Sequence, residues 1–380
     1  MKTNKLARDL SFGILLLLIV VLATATVVEK LFGTEHAVEW IYGSWWFVVL
    51  WGIAGVMMLA FIVRAKLYRN LPAFLLHCSF LVILLGGLVT YLCAERGAMH
   101  IRQNQILNYF VSEDGSRRVP VPFDIKMLYF DIEYHPGTDQ PADYRSFIKV
   151  DGEVHQISMN KIFKKSGYRI YQMNYDSDEM GATFLVSHDP WGVGITYAGY
   201  LLLGIAMLWI LFLRIGWKGM LFTAVPTAMV WLYISRINPM TPILRTPMLA
   251  AHVSVIMVAY MLLLYIAVTS IIGLCAKKRR ERFYQTNSTL LYPAVFLLTA
   301  GIFIGAVWAN ISWGRYWGWD AKETWALITL LIYSLPMHAK NIPLFSDPRK
   351  FHLYCSIAFV AVLMTFFGVT YVLGGIHSYV

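Results

Sequence analysis

Residues 313 to 325 read Trp-Gly-Arg-Tyr-Trp-Gly-Trp-Asp-Ala-Lys-Glu-Thr-Trp, in a short loop between two long apolar stretches. Tryptophan at a membrane edge commonly acts as an anchor, but anchors come as single residues. Here Trp313, Trp317, Trp319 and Trp325 crowd around Gly314, Gly318, Asp320, Lys322 and Glu323. Flat aromatic rings with small residues between them suit a large planar ligand, whose carboxylates Arg315 or Lys322 is placed to meet. An aromatic belt is the plainer reading. Of planar ligands, haem fits best.

The histidines carry the second signal. An ionisable side chain inside a membrane span is costly and usually has a partner or a ligand. His77 falls six residues after Leu71 on one apolar stretch, roughly 9 Å above that edge at 1.5 Å per residue. His338 falls fifteen residues after Glu323 on a stretch running the other way, roughly 22 Å down. In a hydrocarbon core of about 30 Å the two share a level on different helices. His252 and His377 repeat the pattern at the opposite face, beside the tryptophan loop. Two imidazoles from two helices are a common axial pair for haem iron, while a lone intramembrane histidine is more often a hydrogen-bonded core residue. His36, His100, His135, His155, His188 and His352 read as ordinary solvated residues at loops or span edges. His36 stands out among them because its loop also carries Trp40, Trp45 and Trp46.

The elements that must position these groups follow from composition. Of 380 residues 58% are hydrophobic and only 14% charged, and apolar runs of spanning length recur. The expectation is therefore an all-α polytopic membrane protein of about nine transmembrane helices, near 10–27, 44–64, 73–93, 193–213, 219–235, 250–275, 288–308, 323–339 and 352–373. With the N-terminus cytoplasmic, sixteen Lys and Arg fall on the inner side and five on the short outer loops, which sets the orientation and puts the C-terminus outside. The same asymmetry accounts for most of the +10 net charge without nucleic acid. The first span resembles a signal peptide, and the eight later spans favour an uncleaved helix.

One long hydrophilic stretch, 95–192, holds eleven Lys and Arg against fourteen Asp and Glu. Apolar and polar residues alternate there around Asp151-Gly152, a hairpin signal, so a small β-rich extracytoplasmic domain is expected. The resulting division is 1–94 for helices one to three, 95–192 for the outer domain, 193–249 for helices four and five, and 250–380 for the haem-handling part. Four cysteines with no CxxC pair argue against a thiol oxidoreductase, and no P-loop or GxGxxG points to nucleotide chemistry.

The stretch from Trp313 to Trp325, continuing Ala-Leu-Ile-Thr-Leu-Leu-Ile-Tyr-Ser-Leu-Pro-Met-His338, resembles the WWD domain of the System II cytochrome c synthases, the CcsB–CcsA (ResB–ResC) type. Ala251-His252-Val253 and Gly375-Ile-His377-Ser-Tyr379 are similar to that family's two external histidine segments. Phe74-Leu-Leu-His77 with Leu84-Leu85-Gly86-Gly87, and Asp189-Pro190-Trp191-Gly192, resemble the other subunit, fused and shortened. The outer domain is far shorter than the family's usual one, and nine spans are counted rather than ten.

The resemblance implies a holocytochrome c synthase, or haem lyase, of a bacterial cytoplasmic membrane. Such a protein moves haem b to the outer face and joins it to the CxxCH thiols of apocytochrome c, with thiol-reducing proteins and membrane lipid as further partners. Carried over, His77 and His338 hold haem at the inner site. His252 and His377 ligate it outside, against Trp313, Trp317, Trp319 and Asp320, with Trp325 either a further binding residue or an interfacial anchor. Asp320 fits two roles, assisting proton transfer or capping the helix that begins near Lys322. The rival class is a bis-histidine dihaem electron-transfer protein of the quinol–cytochrome kind. Paired histidines at two depths suit it equally, while an open tryptophan loop does not. A scaffold without haem is a third class, and the matched depths argue against it.

Overall fold

The computed structural model describes residues 2–237 and 246–373, with side chains from Asp9 onward. Helices α1 (Lys2–Phe32), α2 (Thr34–Ala37), α3 (Trp45–Arg64) and α4 (Leu71–Cys93) precede the soluble domain. After it come α5 (Gly192–Ile234), α6 (Pro247–Cys275), α7 (Arg280–Trp313), α8 (Ala321–Ser334) and α9 (Pro348–Leu363), the last running on as a π-helical segment, Met364–Leu373. Seven of these helices are long and apolar enough to cross a membrane, with mean hydropathy between 2.1 and 2.7. The chain is a multi-pass membrane protein.

Two expected spans run together in α5, whose 43 residues are broken at Gly216 (φ 63°, ψ −178°). That backbone lies outside the helical region and is open to glycine because it has no Cβ. The expected span 323–339 is α-helical only to Ser334. Pro336 has no N–H to give, so the chain tightens into a 3₁₀ turn, Pro336–His338.

The soluble domain is one eight-stranded antiparallel sheet in the order β5-β4-β3-β2-β1-β8-β7-β6. Its strands are β1 (Glu95–Arg102), β2 (Ile106–Ser112), β3 (Arg118–Tyr134), β4 (Pro141–Val150), β5 (Glu153–Ser158), β6 (Phe163–Lys165), β7 (Tyr168–Tyr175) and β8 (Gly181–His188). In β3, Val119, Val121, Phe123, Ile125 and Met127 are buried while Pro120, Pro122, Asp124 and Lys126 face out, the period of two that a half-buried strand requires. Side chains from every strand share a single apolar core around Met99, Ile101, Phe110, Ile148, Ile157 and Phe184. The β4–β5 hairpin turns on Asp151 (φ 50°) and Gly152 (φ 87°), the two left-handed residues of a type I′ turn.

The sheet is fastened to the helices at one end of the bundle. Tyr171 Oη donates to the Asn310 carbonyl at 3.1 Å, and Tyr171's ring lies where a Cβ on Gly314 would stand, 2.6 Å away. Gly314 is also in the left-handed region (φ 75°) and ends α7. Tyr316 Oη donates to Thr90 Oγ1 at 2.8 Å, Thr90 donates to Asp189 Oδ2 at 2.7 Å, and Asp189 Oδ1 accepts from the Gly192 amide at 2.7 Å. This relay ties the α7–α8 loop to the end of α4 and the start of α5.

Candidate functional site

His77 and His338 meet at the end of the bundle away from the sheet. Their ring centroids are 6.0 Å apart and nearly perpendicular, at 84°. Two metal–nitrogen bonds of about 2 Å, plus the offset from nitrogen to ring centre, separate ligated imidazole centroids by about 6 Å. Each ring is oriented by its own helix. His77 Nδ1 lies 2.7 Å from the Ala73 carbonyl and His338 Nδ1 2.8 Å from the Ser334 carbonyl. A carbonyl oxygen only accepts, so both Nδ1 atoms carry the proton and both Nε2 atoms keep the lone pair. This is the tautomer a metal-ligating imidazole needs. Phe12 of α1 and Phe61 of α3 pack on the pair, with centroids 5.6 and 6.2 Å from His338 and Phe61 5.9 Å from His77. Four helices thus enclose the two rings with apolar walls.

At the sheet end, His252 of α6 packs against α7. Its Nδ1 lies 2.7 Å from the Gly301 carbonyl, and a Cβ on Gly305 would sit 2.7 Å from the ring. Gly301 and Gly305 form a Gly-x₃-Gly face that lets apolar helices approach closely. Its companion, His377, lies outside the described residues.

The tryptophans do not form one open platform. Trp319, at φ 57°, is stacked on Tyr42 (5.1 Å, 10°) and edge-on to Phe47 (5.1 Å), with Trp51 at 6.2 Å. It plugs the loop into the α1–α3 hairpin, where burial also pushes the Tyr42 phenol up to about 12. Trp325 donates from Nε1 to Thr26 Oγ1 of α1 at 3.1 Å. Trp317 meets Trp319 edge-on at 5.7 Å and rests on the core shared by α6 to α9. Trp313 sits against Trp308, 4.8 Å away. Hydropathy identifies an aromatic-rich loop but cannot say which neighbouring helix each ring will meet.

The acids of the loop hold its shape. Asp320 Oδ1 accepts from the Lys322 amide at 2.8 Å as the N-cap of α8, and Glu323 Oε2 accepts from the Gly318 amide at 2.7 Å. Asp-x-x-Glu is thereby used much as a capping box, worth about 1 kcal/mol for the cap alone. Of the residues set aside from sequence, His352 is not solvated. It is fully buried, with Nδ1 3.1 Å from Ser270 Oγ and Nε2 3.0 Å from the Arg280 carbonyl. With both nitrogens engaged and α6, α7 and α9 around it, it is a satisfied core histidine. His36 stays exposed, edge-on to Trp40 at 5.0 Å.

Trp308 was passed over in the sequence. It is 3% exposed, and its indole N–H has no acceptor among the described residues; the same holds for Trp317 Nε1. Buried donors are nearly always satisfied, so such orphans mark places where a ligand or water completes the bonding. The spacing 301, 305, 308 on α7 was the available clue, because it puts Trp308 one turn beyond the glycine that receives His252.

A cytochrome c assembly protein family matches residues 192–377, and a ResB-like family matches residues 64–190, end to end along the chain. The chain belongs to the System II cytochrome c biogenesis family. It is similar to Protein NrfI of Wolinella succinogenes, 35% identical over 165 residues that make up 39% of this chain and 18% of that protein. It is also similar to the cytochrome c biogenesis protein CcsA of Guillardia theta, 34% identical over 171 residues (37% of this chain, 56% of that one). A third relative, CcsA of Zea mays, is 45% identical over 99 residues, 26% of this chain and 30% of that one. The chain therefore spans from about a fifth to just over half of the length of these relatives. In this System II protein, His77 belongs to the ResB-like portion, and His252, His338 and the tryptophan loop to the cytochrome c assembly portion.

Proposed function

We propose that this protein takes up haem b between His77 and His338, presents haem at the opposite end beside His252 and His377, and joins it to the CxxCH thiols of an apocytochrome c. The observation that carries the reading is the His77–His338 pair, with centroids at ligation distance and both Nδ1 protons donated to carbonyls. A structural core histidine would have both nitrogens engaged, as His352 does. On this reading the His77 end faces the cytoplasm and the sheet lies outside a bacterial cytoplasmic membrane, in keeping with the basic residues clustered on the His77 side.

Haem is the substrate here, and the chemistry asked of the protein is modest. Each cysteine sulfur adds to the vinyl carbon next to the ring, and the proton ends on the terminal carbon. One C–S and one C–H bond replace the S–H bond and the second bond of the vinyl group, with no net oxidation. Thiolates are good nucleophiles, so holding sulfur and vinyl in near-attack geometry is the main requirement. Trp313, Trp317 and Trp308 behind them supply apolar walls for the porphyrin, and the indole N–H groups of Trp308 and Trp317, without an acceptor among the described residues, are donors it can engage. Trp319 and Trp325 hold the loop to α1 and α3. Asp320 keeps α8 and its approach to the loop in place, and the substrate's own histidine displaces one outer ligand.

The test is to purify the protein with bound haem and add a CxxCH peptide under thiol-reducing conditions. Peptide leaving with haem in thioether linkage, read by mass, is the expected result. A haem-loaded protein that oxidises and reduces but leaves the peptide bare would make it an electron carrier.

A further inference from the structure

Arg96, Ser187 and Arg169 stand side by side across three neighbouring strands, because β8 pairs Ser187 with Arg96 of β1 on one side and with Arg169 of β7 on the other. Directly opposed residues of antiparallel strands share a face and have Cβ atoms about 5 Å apart. The two arginines therefore flank one serine, on the face that meets the helices. Ser187 Oγ donates to the Gly314 carbonyl at 3.5 Å, and Arg169 Nη1 donates to Asn310 Oδ1 at 3.2 Å. The other face, from Gly97, Ile170 and Val186, is sheet core.

Neither arginine is ion-paired with a carboxylate among the described residues. Arg96 Nε is buried and has no acceptor among the described residues. The nearest acids along the strand are committed elsewhere or stand off: Glu95 pairs with Arg117 at 3.6 Å, and Glu113 gives Arg96 only a backbone bond. Arg315 follows Gly314 directly, its guanidinium lying against Gly318. Cationic donors gathered at a half-buried junction without a counter-ion are costly unless an anion joins them. The floor of the junction is dry protein, with Ser187 3%, Tyr171 2% and Asn310 1% exposed. Asn310 stands five residues beyond Gly305 on α7, a rise of about 7.5 Å from the level of His252 towards the sheet.

We propose that Arg96 and Arg169, with Arg315 beside them, form a carboxylate-binding corner that receives the acidic side chains of haem held at the His252 end. This rests on the haem reading above. Guanidinium forks match planar carboxylates in pairs, and a flat dicarboxylate ligated at His252 brings its edge to this level. The corner would thus fix which way round the porphyrin lies, and so which vinyl groups face the incoming thiols.

The test titrates full-length His77→Ala protein, in which only the sheet end remains to take haem, with haem and with its dimethyl ester, following the Soret band. Binding of haem about tenfold or more tighter than the ester is expected, and Arg96→Gln/Arg169→Gln should abolish that preference by weakening haem alone. The Arg96→Lys/Arg169→Lys pair should restore part of it. Equal affinity for acid and ester in the parent protein overturns the corner while leaving haem binding standing; no Soret change with either overturns both readings. Weakening of both ligands alike by the glutamine pair marks a structural role and overturns the proposal. So does an anionic phospholipid that copurifies with the parent but not with the glutamine pair, the haem preference being unchanged.

Discussion

Which nitrogen of an imidazole is free to ligate is set by the hydrogen bond that the other one makes. In His77, His338 and His252 a main-chain carbonyl does this, at 2.7 to 2.8 Å. Two of those carbonyls are four residues back in the chain, Ala73 within α4 and Ser334 at the end of α8 before the 3₁₀ turn that carries His338, so local helical geometry selects the tautomer. Replacing His77 or His338 with Ala should lower the haem content of purified protein several-fold, with added imidazole restoring much of the Soret band; unchanged haem would remove this pair from the pathway. The tryptophans separate by partner. Trp319→Ala removes a half-buried ring that packs on the buried Tyr42 and Phe47 and should cost about 3 kcal/mol, seen as a lower melting temperature in detergent. Trp308→Phe keeps most of the ring volume and loses only the N–H. It should leave the melting temperature within a degree or two, because an orphan donor contributes nothing to the fold.

At the scale of elements, the contact between α6 and α7 decides where His252 points. Gly305→Ala puts a methyl 2.7 Å from the imidazole, and the ring must move because α7 backbone cannot. Overpacking of this kind costs about 1–3 kcal/mol, and haem binding at the sheet end should fall about tenfold while the His77–His338 end keeps its haem. Resonance Raman spectra of the two populations would separate these outcomes. Much at this scale was legible in the sequence. Apolar runs marked the helices, and alternation in β3 with Asp151-Gly152 marked the sheet and one hairpin. The equal depth of His77 and His338 followed from counting residues along two helices. What stayed hidden depends on partners far away in sequence. Trp319 sits on Tyr42, and the network around His352 joins Ser270 to Arg280. His352 looked like a span-edge residue because hydropathy records distance from water along one helix and says nothing of the other helices that close around it.

At the scale of the whole molecule, the sheet domain carries its own dependence on pH. Arg102 donates to Asp178 and holds that carboxyl below the usual carboxylate range. A depressed carboxylate stabilises the folded domain above its unfolded pKa and ceases to do so as pH falls through its folded value. Asp178→Asn should therefore lower the domain's melting temperature slightly at pH 7, and the gap to the native protein should close as pH falls below the usual carboxylate range. A gap that widened in acid would contradict the pairing.

The His77–His338 pair draws one ring from each family portion, so on the haem reading proposed above neither portion alone would carry both ligands of that site. Where two chains supply the rings, assembly depends on their encounter in the bilayer and on equal expression. A single polypeptide replaces that encounter with a local concentration of about millimolar and a fixed one-to-one ratio. On that reading haem capture would track the folding of one chain, with no half-built receptor to hold a reactive porphyrin by a single ligand.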